Sequence, residues 1–275
     1  MSWWRPFAFG LRGSDRPANI PPRRRDRALE TAIRQGRISV RFQPQISPAS
    51  GRVQGVEALA RWGSGDAEAL FARATGAGLA ERLSRDIQRK AIRHAAGWRG
   101  PLAGLRLSIN VLPQDLARGG YVEWLLRECR MAGLNPQRLT IEIVESALLA
   151  DREAIGLRLR ALRALGVRVA VDDFGTGYAN LAYLTSLPLD AIKIDRALVT
   201  DLVDGRRERI VVKAMIDLAR DLGLNIVAEG VETPAQLALL GGWGVDSYQG
   251  FLGAEALDEP DLAEFVAARN AALAA

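Results

Sequence analysis

The chain has only one cysteine and one histidine among its 275 residues, and both scarcities exclude classes of function. A single cysteine, Cys129, cannot form an internal disulfide, which fits a reducing compartment, and we expect it to be a half-buried packing residue of a helix. Structural zinc sites and histidine-rich metal hydrolases need several imidazole or thiolate ligands, so they are excluded. A Ser-His-Asp triad would have to use His94, which the pattern places on the solvated surface of a helix.

Long apolar runs are also missing from the sequence. No stretch approaches the roughly 18 consecutive apolar residues of a membrane-spanning helix, and the N-terminus lacks the apolar core of a secretory signal. We therefore expect a cytoplasmic protein. Hydrophobic residues make up 48% of the chain and charged residues 25%, as in globular proteins, so a buried core is expected.

The net charge of +5 resides in the first 27 residues, which contain seven arginines and two aspartates. The rest of the chain carries thirty basic and thirty acidic residues, so the folded part is neutral and a nucleic-acid polymer is not expected as a partner. We therefore predict a flexible basic tail at residues 1–27, rich in tryptophan and arginine, and one domain at residues 28–275. The tail composition is consistent with weak contact with an anionic membrane surface or with a disordered leader.

From residue 28 onward, short β-rich runs alternate with longer amphipathic helical runs. Strands are predicted at 40–46, 53–59, 105–111, 139–144, 167–171, 191–194, 225–228 and 245–248. Helices are predicted at 79–98, 121–132, 151–165, 207–222 and 234–240, three of them ended by Gly133, Gly166 and Gly223. This order is typical of an α/β protein with a (β/α)8 TIM-like barrel, and an open doubly wound sheet is the alternative. Only six residues separate the first two runs, so we expect an irregular, antiparallel first strand.

Nearly every predicted strand carries an acid, an amide or a lysine near its C-terminal end. In a barrel, these positions meet on the face where the loops build active sites. The residues are Gln43, Glu57, Asn110, Glu142, Asp172, Asp173, Lys193, Glu229 and Gln249. Each of them alone also fits a structural role, such as a turn cap or an ion pair.

Together, these residues indicate a metal site. Buried carboxylates are costly unless they are paired or bind a metal, and one lysine cannot neutralise five of them. Oxygen ligands without histidine or thiolate suit Mg²⁺ or Mn²⁺. Adjacent aspartates after a strand can bridge two such ions, an arrangement suited to displacement at phosphorus. The sequence therefore predicts a two-metal phosphoester hydrolase.

Glu57-Ala58-Leu59, followed by Ala60-Arg61-Trp62, resembles the signature of EAL-domain phosphodiesterases, which cleave the bacterial second messenger cyclic di-GMP. Further segments that resemble family motifs occur in family order over about residues 28–270. They are Phe42-Gln43-Pro44, Ser108-Ile109-Asn110, Glu142-Ile143-Val144-Glu145, Asp172-Asp173-Phe174-Gly175-Thr176-Gly177-Tyr178, Ile192-Lys193-Ile194-Asp195, Ala228-Glu229-Gly230-Val231-Glu232-Thr233 and Gln249-Gly250-Phe251.

The resemblance implies hydrolysis of cyclic di-GMP to linear pGpG with two Mg²⁺ or Mn²⁺ ions per active site, which lowers the messenger level in biofilm and motility control. The metal ligands it implies are Glu57, Asn110, Glu142, Asp172 and Asp173. The catalytic residues it implies are Glu57, Lys193, Glu229 and Gln249, with Lys193 and Glu229 acting on the attacking water. The implied substrate contacts are Gln43, Arg61 and Asp195. The loop after Asp173 would be steadied by Glu145 and made mobile by Gly175 and Gly177, and a homodimer would form through helices next to that loop.

The chain departs from the family pattern at three places. The loop after Trp62 is shortened, Ala179-Asn180 stands in place of Ser-Ser, and the usual Lys-Pro is missing after Phe251. The first change bears on contacts to the bases, and the other two bear on dimer contacts or regulation. The alternative function is a catalytically silent cyclic di-GMP receptor that signals through a protein partner. Such relatives usually lose a metal ligand, whereas this sequence fills every catalytic position of the family.

Overall fold

The computed structural model describes residues 25–63, 65–145, 152–175 and 182–274. Eight strands close into a barrel in chain order, so the predicted (β/α)8 fold is confirmed and the open sheet is excluded. Every predicted strand corresponds to an observed one. The strands are β1 Ser39–Ile46, β2 Val53–Arg61, β3 Arg106–Val111, β4 Leu139–Val144, β5 Arg168–Phe174, β6 Ala191–Ile194, β7 Asn225–Ala228 and β8 Ser247–Tyr248.

The first strand is antiparallel to β2, as predicted, and also to β8. The remaining neighbours are parallel. The Phe42 N–H donates to the Leu257 carbonyl over 2.7 Å and Leu257 donates back over 2.9 Å, so the amide of Phe42 faces away from β2. Pro44 lies two residues further along the same edge, where its missing N–H costs no hydrogen bond to β2.

Helices cover the outside of the barrel. They are α1 Arg27–Arg34, α2 Ala67–Ala77, α3 Ala80–Gly97, α4 Pro113–Ala117, α5 Tyr121–Ala132, α6 Arg152–Ala164, α7 Ala182–Ser186, α8 Arg196–Thr200, α9 Arg206–Asp221, α10 Pro234–Gly242 and α11 Glu259–Ala272. The five predicted helices correspond to α3, α5, α6, α9 and α10. Among the described residues, no helix combines the length and the apolar character that membrane spanning requires.

Local sequence signals account for several helix ends. Gly133 follows α5 at a φ of 80°, in the left-handed region that glycine adopts without strain. Asp26 caps α1 by accepting a hydrogen bond from the Leu29 N–H over 3.0 Å, and the same carboxylate accepts one from Arg73 on α2. The N-terminus of the first described helix is therefore tied to α2. The division of the chain at residue 27 remains a prediction, because residues 1–24 lie outside the described ranges.

Cys129 and His94 occupy the kinds of position that the sequence predicts. Cys129 is fully buried on α5, more deeply than expected, and burial raises the pKa of its thiol to about 11. His94 lies on the surface of α3, where 45% of its side chain is exposed. Its Nδ1 lies 2.5 Å from Glu259 Oε2, and its ring meets the Phe42 ring edge to face at 5.6 Å.

Candidate active site

Lys193 lies at the carboxyl end of the barrel, and its side chain is completely buried. It extends from β6, and its ammonium group contacts carboxylates from β2, β4, β5 and the residue that follows β7. The Lys193 Nζ lies 2.7 Å from Glu229 Oε1, 2.8 Å from Glu142 Oε2, 3.1 Å from Asp172 Oδ1 and 3.3 Å from Glu57 Oε2. The fold thus collects acidic residues that are far apart in the sequence around one cation.

Two amide side chains complete the hydrogen bonds of Glu57. Asn110 Nδ2 donates to Glu57 Oε1 over 2.7 Å, and Gln249 Nε2 donates to Glu57 Oε2 over the same distance. Gln249 Nε2 also lies 3.0 Å from Glu229 Oε1. Glu57 itself lies within β2 rather than at its C-terminal end, because the strand continues to Arg61.

Asp172 and Asp173 both approach the site although adjacent side chains of a regular strand point to opposite faces. The pairing of β5 with β6 loses its register here, and Asp173 has a φ of 56°. This bulge brings carboxylate oxygens of Asp172, Asp173 and Glu229 within 4.8 Å of one another. The sequence placed both aspartates after the strand, which is wrong, because β5 ends only at Phe174.

Most of these carboxyl groups have raised pKa values because they are buried next to one another. Burial, reinforced by Asp172, raises the pKa of Asp173 to about 9. Burial likewise raises the pKa of Glu229 to about 8, although Lys193 acts in the opposite direction. Burial also raises the pKa of Asp172 and, together with the charge of Glu57, holds that of Glu142 well above its usual value. The negative charge of the cluster is therefore only partly compensated.

Glu57 and Lys193 are the charged pair of this cluster. Burial disfavours the Glu57 carboxylate, but Lys193 and the amides of Gln249 and Asn110 outweigh it and lower its pKa. Burial also disfavours the Lys193 ammonium group, yet the surrounding carboxylates hold its pKa well above the usual value. The amine therefore stays protonated in the site.

Gln43 reaches the site by a different route from the predicted one. Because β1 is antiparallel, its C-terminal end lies at the opposite face of the barrel, and Gln43 comes from mid-strand, paired with Glu57. Its Nε2 donates to the Ala254 carbonyl over 3.3 Å. Gln45, which was not predicted, also reaches the site and donates to Gln249 Oε1 over 3.3 Å. The two-residue repeat of a strand could have predicted Gln45, because it puts Gln45 on the same face as Gln43.

A cleft of about 330 Å³ opens next to this cluster. Glu57, Glu229 and Gln249 line it, and so does Arg61, whose Nη1 also donates to the Ala60 carbonyl over 2.9 Å. A volume of this order falls within the range of small-molecule sites.

Further residues of the cleft were not among the predicted site residues. Arg196 and Glu232 line it and form an ion pair at 3.0 Å, and the Phe251 ring is 60% exposed there. Arg196 directly follows Asp195 in the sequence, and that adjacency was an available signal. Asp195 itself is buried and caps α8, where its Oδ1 accepts from the Ala197 N–H over 2.8 Å.

The residues predicted to control the loop after Asp173 lie beside the site. Glu145 directly follows β4 and is buried; burial raises its pKa, and the backbone of Gly175 opposes that shift. Gly175 has a φ of 95°, and a Cβ there would lie 2.6 Å from Met215 Cε. Gly177 and the pair Ala179-Asn180 lie outside the described residues.

Comparison with known proteins identifies the domain. The family model of the EAL domain matches residues 26–256. The chain belongs to the EAL domain family. Cyclic di-GMP phosphodiesterase PA2567 of Pseudomonas aeruginosa is 38% identical over 219 residues, which cover 78% of this chain and 37% of that protein. Cyclic di-GMP phosphodiesterase NbdA of the same organism is 36% identical over 250 residues, which cover 87% of this chain and 31% of that protein. The chain thus spans about a third of the length of these curated relatives.

Solved structures of EAL proteins share the barrel. The PaMucR phosphodiesterase in complex with c-di-GMP superposes with a TM-score of 0.80 at 33% identity, covering 85% of this chain and 97% of that one. Klebsiella pneumoniae BlrP1, in a complex with manganese and cyclic di-GMP, superposes with a TM-score of 0.73 at 33% identity. The match covers 80% of this chain and 56% of that one.

The side chains of the EAL site in this chain are suitable ligands for divalent cations. Asp172, Asp173 and Glu229 offer hard carboxylate oxygens within 4.8 Å of one another. The nitrogen of Asn110 faces Glu57, so its oxygen is the amide atom that remains for a cation. The raised pKa of Asp173 indicates negative charge that further positive charge would stabilise.

The segment after Trp62 forms part of the rim of the EAL cleft. Trp62 and Gly65 form an isolated bridge, and Asp66 caps α2 by accepting from the Ala69 N–H over 2.8 Å. Asp66 and Glu68 both line the cleft, so this rim carries acidic side chains.

Proposed function

We propose that this EAL domain is a metal-dependent phosphodiesterase that hydrolyses cyclic di-GMP to linear pGpG. The observation that carries the proposal is the contact of Lys193 with four carboxylates beside an open cleft. Relatives that are 36% and 38% identical carry the name of this activity, which supports the same substrate. The activity of any longer protein that contains the domain belongs to the same proposal.

The residues of this site would hold two Mg²⁺ or Mn²⁺ ions. Glu57, Asn110, Glu142 and Asp172 would hold one ion, and Asp172 and Asp173 would hold the other. When bound, such ions polarise the phosphodiester and make water a stronger nucleophile. The bulge in β5 supports this assignment, because it directs two consecutive carboxylates to one site.

The protein side chains orient the water and manage its proton. Glu229, whose pKa burial raises to about 8, accepts the proton at a carboxylate oxygen. Lys193 holds the oxygen of the water or of the phosphate, and Gln249 orients Glu229 through their 3.0 Å hydrogen bond. Arg61 and Gln43 contact the substrate from the cleft wall, since a guanidinium group matches a phosphate well. Asp195 contacts the substrate from the start of α8, where it directly precedes the cleft residue Arg196.

A turnover assay tests the proposal. Purified protein is incubated with cyclic di-GMP and either Mg²⁺, Mn²⁺ or EDTA, and linear pGpG is quantified by chromatography. We expect product with either cation and none with EDTA. Glu57→Ala should abolish turnover and preserve the circular dichroism spectrum, because it removes a ligand rather than core packing. Micromolar nucleotide binding without turnover in the unaltered protein would indicate the silent receptor instead.

Two copies of the domain pair through α9. On this helix, Ile210 is 61% exposed and Val211 is 47% exposed. Met215 of the same helix lies against Gly175, at the start of the loop after Asp173. Light scattering should give a dimer for the native chain and a monomer for Ile210→Glu. Met131→Glu on α5, where the native side chain is 73% exposed, is the matched control and should stay dimeric.

The N-terminal tail makes a weak contact with an anionic membrane surface from the cytoplasmic side. Residues 1–27 supply seven arginines together with tryptophans and phenylalanines, which suit such an interface. Co-sedimentation with vesicles that contain anionic lipids should fall when residues 1–25 are deleted. Unchanged binding would refute this role.

A further inference from the structure

A buried polar cluster lies outside the cleft, between α3, α4, α5 and β3. Its members are Ser84, Gln88, Asp115 and Tyr121, each at most 2% exposed. Apolar side chains, among them Ile87 and Ile109, line the space next to Ser84 and Gln88. Buried polar groups are costly unless they are hydrogen-bonded, so the cluster is stable only as a connected network.

Gln88 is the centre of this network. Its Nε2 donates to Ser84 Oγ over 2.9 Å and to the backbone carbonyl of Asn110 over 2.9 Å. Its Oε1 accepts a hydrogen bond from the Tyr121 hydroxyl over 3.0 Å. Both amide protons and the amide oxygen are therefore used, and these bonds fix the orientation of the side chain.

The outer members of the network are anchored on two further helices. Ser84 Oγ donates to Asp115 Oδ2 on α4 over 3.1 Å, and Arg85 Nε donates to Asp115 Oδ1 over 3.2 Å. Tyr121 begins α5. Gln88 is therefore supported from α4 and α5, and its hydrogen bond to the Asn110 carbonyl links the network to β3.

Asn110 is in register with Glu142 of β4, and this arrangement adds a hydrogen bond to its backbone and one from its side chain. The β2–β3 pairing ends at Ala58 and Ile109, so the Asn110 carbonyl lies beyond the last matched pair and receives the Gln88 amide. Its side chain donates to Glu57 Oε1 over 2.7 Å. A shift of the Asn110 backbone would therefore move its amide oxygen relative to the Glu57 carboxylate.

We propose that Gln88 is a positioning residue that holds Asn110 in place and thereby sets the cation affinity of the site. The inference rests on the cation site of the proposed function and is independent of turnover. A role in stability alone would predict no effect on that site, since an apolar side chain could fill the same space. Groups that orient metal ligands typically change metal affinity about 10–100-fold when they are removed.

The test compares two variants that both lack the Tyr121 hydroxyl, because Gln88→Leu alone would leave that hydroxyl unpaired. Y121F removes one bond of the network and keeps the contact between Gln88 and Asn110. The double variant Q88L/Y121F removes that contact as well. Mn²⁺ binding to the substrate-free protein is measured by electron paramagnetic resonance. We expect Y121F to match the native protein and Q88L/Y121F to bind Mn²⁺ about 10-fold more weakly.

Equal Mn²⁺ affinity in the two folded variants would overturn the proposal. If Q88L/Y121F does not fold by circular dichroism, Q88M/Y121F replaces it, because methionine keeps the length of glutamine and lacks its donor. In the turnover assay of Q88L/Y121F, the Mn²⁺ concentration that gives the half-maximal rate should rise. The KM for cyclic di-GMP at saturating Mn²⁺ should stay unchanged. A turnover defect of the double variant that excess Mn²⁺ does not reverse would also overturn the proposal. Native protein that binds Mn²⁺ without hydrolysis would refute the proposed function and leave the variant comparison valid.

Discussion

The Lys193 ammonium group lies 2.7 Å from the Glu229 carboxylate, and the two residues come from the carboxyl ends of the neighbouring strands β6 and β7. The same ammonium group lies 2.8 Å from Glu142 Oε2. A permanent positive charge is thus placed between the acid that we propose as the proton acceptor and an acid that we propose as a cation ligand.

Replacement of Lys193 tests how much of the site depends on that charge. Lys193→Met should eliminate turnover and lower the free energy of unfolding in EDTA by about 3 kcal/mol, because several buried carboxylates lose their counter-ion. Urea denaturation and the pGpG assay measure the two effects. Lys213→Met is the matched control, since Lys213 forms a partly exposed ion pair with Asp217 within α9 and should leave the rate unchanged. Native turnover in Lys193→Met would contradict the assigned role.

Substitution of Glu229 tests proton transfer separately from the overall charge of the site. Glu229→Gln keeps the side-chain shape but cannot accept the proton, so kcat should fall about 10²–10⁴-fold with little change in KM. Glu123→Gln is the control, because Glu123 lies on the exposed surface of α5, on the outside of the barrel. A loss confined to KM in Glu229→Gln would argue for a binding role only.

The metal-free protein should become more stable as the pH falls from about 8 to about 5. Asp173 has a pKa of about 9 in the fold against an ordinary 3.8, so the folded state keeps a proton that the unfolded chain releases. Stability from such a group is present at low pH and is lost as the pH rises towards the folded pKa, by about 1.4 kcal/mol per pH unit.

Urea midpoints across this pH range, measured in EDTA, check the slope. Glu229, with its pKa of about 8, contributes in the same direction. Asp173→Asn should flatten the slope in part and also abolish turnover, whereas saturating Mn²⁺ should flatten it in the native chain. Stability that rises with pH in EDTA would show that the crowding of acids is not the dominant effect.

The thiol of Cys129 should be unreactive in the native protein. It is fully buried, and its pKa of about 11 keeps it protonated at neutral pH. A colourimetric thiol reagent should therefore react slowly with the folded chain and should titrate one thiol per chain in guanidinium chloride. Rapid labelling of the folded protein would mean that α5 opens readily from the barrel.

Much of the architecture could be predicted from local patterns. Alternation of β-rich and amphipathic runs predicted the barrel, and a six-residue connection predicted the antiparallel start. The site residues Glu142 and Lys193 were predictable because parallel strands carry their C-terminal residues to one face. Three residues were not predictable in this way. Gln43 reaches that face from the middle of its strand, Gln45 contacts Gln249 in the site, and Gln88 contacts Asn110 from α3. Neither Gln45 nor Gln88 belongs to a recognisable motif.

The sequence alone determined which chemistry is available: carboxylates, amides and one central lysine at strand positions, with a single histidine and a single cysteine that exclude most other metal sites. Only the tertiary structure decided how those groups face one another. The β5 bulge turns Asp173 toward Asp172, and α3 brings Gln88 to the Asn110 carbonyl. Strand register, bulges and contacts between helix and strand depend on segments distant in the sequence, so no local pattern contains them.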